Sequence, residues 1–158
     1  MVDTEQQYGV VGASTPDERS MAVLAHVLQL VGGWIAPLVI FFIKRQSRFV
    51  SFHALQVLLL EGVWLFLTIS IMAAIFIAMA LGIILGGTSS QHGPPPLIFF
   101  LGFGTFWLGL AASWVVKVVL AIVYGIKASR GEWAEYPVLG RLARYILHIG
   151  PGGAVANE

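Results

Sequence analysis

The 158-residue chain contains no cysteine. That excludes a disulfide framework, a thiolate metal site and a cysteine nucleophile. Charge is also scarce: Asp, Glu, Lys and Arg make up 11% of the residues, against about 25% in a soluble domain. The enzyme signatures with a physical mechanism are missing: no phosphate loop, dinucleotide fingerprint, HExxH pair or nucleophile elbow. No catalytic residue, metal ligand or cofactor is therefore expected, and the chain reads as a non-enzyme. Its basic clusters are too small to engage nucleic acid.

What fills the chain is apolar, 58% of it. Three runs stand out, at about 21–43, 63–85 and 97–126. A helix needs about 20 apolar residues to cross the hydrocarbon core. The expected class is an all-α integral membrane protein with three transmembrane helices and a C-terminal amphipathic interfacial helix. The expected layout is a polar acidic tail (1–15), a transmembrane domain (16–130), a cytoplasmic turn with the amphipathic helix (131–150) and a flexible tail (151–158). The N-terminus is not a signal peptide: it carries Asp3, Glu5, Asp17 and Glu18 against the single Arg19.

Charge sets the expected orientation. Lys44, Arg45 and Arg48 follow the first run, and Lys127, Arg130, Arg141 and Arg144 follow the third. The loop 86–96 carries no Asp, Glu, Lys or Arg. The positive-inside rule puts the two basic segments in the cytoplasm. With three crossings the N-terminus then lies outside and the C-terminus inside.

Local signals sharpen each element. Thr15-Pro16-Asp17-Glu18 has the form of a capping box with proline at the first helical position. Gly32-Gly33 precedes Pro37, and proline removes the bond to the carbonyl of Gly33, so the first span is expected to be kinked. The second and third helices form a long hairpin, both longer than the bilayer needs. Small residues recur every fourth position at Ala74, Ala78, Gly82 and Gly86, and again at Thr105, Gly109, Ser113, Lys117, Ala121, Gly125 and Ser129. Such rows mark helix contacts in lipid, with this chain or with another copy. Val138, Leu139, Leu142, Tyr145, Ile146 and Ile149 line one side of a last helix and Arg141, Arg144 and His148 the other. That pattern fits a helix on an anionic membrane surface, with packing against the bundle as the competing arrangement.

Glu61 and Lys117 interrupt the second and third runs at similar depth, near the cytoplasmic boundary. They form either an ion pair or two side chains reaching separately for the interface. His26, at the outer end of the first span, and His53, at the cytoplasmic start of the second, read as hydrogen-bonding interfacial residues.

Glu18–His26, Gly33–Pro37, Lys44–Gln56 and Ile126–Pro137 together resemble a group of small bacterial membrane proteins similar to the Tic-twenty-like chloroplast import family. The resemblance makes Phe52, His53, Ala54, Gln56, Lys127, Gly131, Glu132, Tyr136 and Pro137 characteristic positions. It implies a scaffold or assembly factor in the bacterial inner membrane, whose partners are the bilayer and other membrane proteins or itself. His53, Gln56, Lys127, Glu132 and Tyr136 would meet as one polar cluster at the cytoplasmic helix ends, with Glu132 accepting from His53 or pairing with Lys44 or Arg48. The alternative function is an oligomeric channel or transporter that uses Glu61, Lys117 and the Pro37 kink.

Overall fold

The computed structural model describes residues 14–85 and 97–150. The acidic tail, the uncharged loop 86–96 and the final tail lie outside these, Ser14 and Thr15 excepted. The described residues form five helices and no strand: α1 (Pro16–Gly32), α2 (Ile35–Ile43), α3 (Arg48–Leu85), α4 (Leu97–Ser129) and α5 (Leu139–Leu147). The chain divides into two compact units. One holds Met1–Gly62 and Val118–Glu158, the other Val63–Lys117.

α1 starts where the capping box requires. Thr15 Oγ1 accepts from the Glu18 amide at 3.2 Å, and Glu18 Oε2 accepts from the Thr15 amide at 2.8 Å. The helix ends at Gly33, whose φ of +53° and ψ of −134° suit a residue without a Cβ. α2 then begins afresh, with Pro37 in its first turn, where a missing amide hydrogen forfeits no intrahelical bond.

The expected kinked crossing at about 21–43 is therefore two helices and a reversal. α2 folds back along α1. Lys44 Nζ donates to Asp17 Oδ2 at 2.7 Å, and Ser47 Oγ donates to Glu18 Oε1 at 2.6 Å. Deeper in the hairpin, Ala25 and Ile40 share a cluster with Val50 and Ala54 of α3, flanked by Met21 and Phe41. At about 1.5 Å per residue, neither the 17-residue α1 nor the 9-residue α2 spans a ~30 Å core. The Lys44–Asp17 pair is largely exposed, so it marks the reversal rather than driving it.

α3 and α4 are the two helices long and apolar enough to cross a membrane, over Arg48–Gly82 and Phe100–Ser129. The most apolar window of the first is 0% buried within the protein, and that of the second 11%. The core helix of a soluble protein would be covered, whereas these surfaces need lipid. The chain is a helical membrane protein.

Ser47 caps α3 by accepting from the Val50 amide at 3.2 Å. Gly131 stops α4. Its φ is +78°, its amide bonds to Ala128 O at 2.9 Å, and the Glu132 amide bonds to Lys127 O at 3.1 Å. That double bond is a Schellman motif.

The small-residue row on α4 divides. Ala121 and Gly125 are buried, and a Cβ on Gly125 would meet His26 Cβ at 3.9 Å. A Cβ on Gly109 meets nothing within 4 Å. In that second unit α3 and α4 leave a cavity of about 600 Å³, lined by Trp64, Leu67 and Ile71 on one side and Leu101, Thr105 and Gly109 on the other. Trp64 Nε1 donates to Ser113 Oγ at 3.1 Å, and Lys117 Nζ sits 4.4 Å from the Trp64 ring centre.

Candidate functional site: a buried histidine lock

The polar residues of the first unit converge on its interior. α1 contributes His26 and Gln29, α3 contributes His53 and Gln56, and the segment after α4 contributes the backbone of 132–136 and the Tyr136 phenol. His26, His53 and Gln56 are 0% exposed, Gln29 1% and Tyr136 2%. Buried polar groups are normally hydrogen-bonded, and here a chain of bonds links the two histidines to Tyr136 and the Glu132 carbonyl, while Gln29 Oε1 is left without a partner among the described residues.

The chain has a direction. His53 Nε2 lies 3.2 Å from the Glu132 carbonyl oxygen, which can only accept. His53 therefore carries its proton on Nε2, and its Nδ1 is an acceptor when the ring is neutral. His26 Nε2, 3.1 Å away, donates to that Nδ1. His26 Nδ1 is then left to accept from the Tyr136 hydroxyl at 2.9 Å. These tautomers follow from the one fixed acceptor at the end of the chain.

The glutamines complete the lock. Gln56 Oε1 accepts from the Tyr136 amide at 2.6 Å while its Nε2 donates to Ala134 O at 3.2 Å. Gln29 Nε2 donates to His26 O at 2.8 Å. Tyr124 donates to Glu135 O at 2.9 Å, its ring edge-on to Tyr136 at 4.2 Å. Phe49 and Phe52 pack on His53, and Trp133 packs on both of them. Burial pushes the Tyr136 phenol above its ordinary value, with Tyr124 and Glu61 acting in the same direction and the Gln29 hydrogen bond opposing them.

Of the expected polar residues, three meet here through their side chains and the others take different places. His53, Gln56 and Tyr136 are core members. Glu132 contributes its backbone carbonyl, while its carboxylate lies 4.0 Å from Arg130 rather than at His53, Lys44 or Arg48. Lys127 Nζ stands 5.4 Å over the Tyr124 ring, at the margin. Glu61 is buried in this unit and Lys117 is buried in the other. Arg141 is exposed. Arg144 is held internally by Glu135, Gly150 O and the Phe52 ring.

His26 and Gln29 were not expected here, because a first span running straight across would carry His26 to the far side. A signal was present. His26-Val27-Leu28-Gln29 and His53-Ala54-Leu55-Gln56 repeat one pattern, each placing His and Gln on one helix face.

The family model described as the magnetosome magnetite crystal formation protein family, MamF/MmsF, matches residues 17–143. The chain belongs to this family. No curated protein and no solved structure matches it. The MamF/MmsF match overturns the Tic-twenty-like resemblance, whose four stretches all fall inside the matched range. Their residues prove to be helix stops and lock members: Gly131 ends α4, and His53, Gln56 and Tyr136 tie helix ends together.

Proposed function

We propose that this MamF/MmsF protein is a non-enzymatic scaffold in the membrane where magnetite crystals form. The observation that carries it is the closed hydrogen-bond chain. Both ring nitrogens of His26 and of His53 are engaged, and both rings and Tyr136 are buried, with the chain ending at the part-buried Glu132 carbonyl. His26, His53, Gln56 and Tyr136 are committed to joining α1, α3 and the 132–136 segment. A first unit tied together in this way, and two long apolar helices, suit holding a membrane patch or its neighbours in place.

In this account the membrane is crossed twice. The α1–α2 hairpin returns to the side it left, so the start of α1, Lys44–Arg48 and the segment after α4 share one face. The positive-inside rule makes that face cytoplasmic. This replaces the expectation of an external N-terminus.

The test is reconstitution into iron-loaded vesicles, reading crystal size and ferrous-ion flux together. A scaffold changes crystal size in proportion to the protein present, with flux equal to that of protein-free vesicles. Protein-dependent flux that disappears in Lys117→Ala would replace the scaffold by the channel.

A further inference from the structure

α5 presents three faces. Gly140 and Ala143 are buried against the first unit, where Ala143 joins Phe52 and Ile149 in one cluster. Arg144 is spent on Glu135 and Gly150 O, which leaves Arg141 as the exposed cation of the helix. The third face carries large apolar side chains that none of the described residues covers: Leu142 is 42% exposed, Ile146 46%, Val138 77% and Tyr145 81%. The helix therefore packs on the first unit through Gly140 and Ala143, with Leu147 and Ile149 at its end, and keeps Val138, Leu142, Tyr145 and Ile146 facing out.

We propose that α5 lies on the bilayer surface, its Val138–Leu142–Tyr145–Ile146 face in the acyl boundary and Arg141 among anionic phospholipid headgroups. Three observations select lipid over a protein partner. The helix is tethered where the chain leaves the membrane, ten residues after α4 ends and docked near the start of α3. Its open face combines aliphatic side chains, a tyrosine and a flanking arginine, the composition of interfacial helices. Val138 is held at φ +67° by a bond from the Leu139 amide to Pro137 O at 2.8 Å, a strained γ-turn that glycine would relieve. A valine there makes sense when its side chain gains an apolar neighbour, and the described residues leave it 77% exposed.

Because the chain lacks cysteine, Leu142→Cys and Tyr145→Cys give clean sites for a fluorophore in the full-length protein. The probes are vesicles of phosphatidylcholine with and without phosphatidylglycerol, quenched by acyl-chain nitroxide or by aqueous iodide. The expected result is nitroxide quenching at 142 and 145 but not at His148→Cys, stronger with phosphatidylglycerol. Arg141→Gln should lower the inserted-to-free ratio about fivefold in the anionic vesicles alone, about 1 kcal/mol for one surface cation. Full iodide quenching at 142 and 145 would overturn the proposal. So would protection from both quenchers, which means a protein covers the face, or insertion indifferent to lipid charge and to Arg141→Gln.

Discussion

Replacing Gln56 by leucine keeps side-chain bulk and removes two hydrogen bonds at once. The Tyr136 amide loses its acceptor at 2.6 Å and the Ala134 carbonyl its donor at 3.2 Å. Gln56 is 0% exposed and Tyr136 2%, so the Tyr136 amide has no water to fall back on, while the Ala134 carbonyl is part-buried. An orphaned buried group costs about 1–3 kcal/mol, and the substitution should cost at least that. That is a large share of the ~5–15 kcal/mol that holds a typical domain together. The same substitution at Gln46, which is exposed, should stay within about 0.5 kcal/mol. Denaturant unfolding in micelles, followed by near-ultraviolet circular dichroism, compares the two. If Gln56→Leu and Gln46→Leu unfold together, the 134–136 segment is not held by Gln56 and the lock is misdescribed.

Gly131→Ala should destabilise the first unit by at least about 1–2 kcal/mol, because its φ is +78° and a Cβ would lie 2.7 Å from Ser14 Oγ and 3.0 Å from Arg19 Nε. Thermal unfolding reads it, with a normal melting point as the refuting result. Gly140→Ala drives a Cβ to 2.5 Å from Glu135 Cβ and 2.8 Å from its Cα, so α5 should undock and Arg141 and Arg144 become faster trypsin sites. Tyr136→Phe leaves His26 Nδ1 without its donor and should cost about 1–3 kcal/mol by the same denaturant assay. Glu18 is held below its ordinary value, chiefly by the Ser47 hydroxyl and then by the Thr15 amide. A carboxyl depressed on folding contributes stability above its unfolded pKa of 4.5, lost as pH falls through the lower folded value. Ser47→Ala should therefore raise the Glu18 midpoint in a carbon-13 titration, and an unmoved midpoint would refute the assignment.

Much of the fold was legible because its signals are local. The capping box at Thr15, the unbroken apolar length of α3 and α4, and the amphipathic period of α5 each depend on neighbours a few residues away. The reversal at Gly33 was not legible, because Gly32-Gly33 followed by Pro37 serves a kink and a turn equally well. Apolar residues after the break look the same whether α2 continues through the bilayer or doubles back. That single ambiguity misplaced His26 and with it half of the lock, although the repeated His-x-Leu-Gln pattern at 26–29 and 53–56 gave a hint. The expected Glu132 carboxylate partnership failed for a different reason. A turn brings backbone and side chain to the same place, and here the carbonyl reached His53 first.

Everything above the level of single bonds depends on the first apolar run folding back on itself. The most direct test is side-specific labelling of single cysteines in sealed vesicles, at Asp3→Cys, Gln46→Cys and Ser90→Cys. The account predicts that positions 3 and 46 react from one side and position 90 from the other. Reaction of position 3 from the same side as position 90 would mean that the first run crosses, and would contradict the hairpin and the His26–His53 lock together.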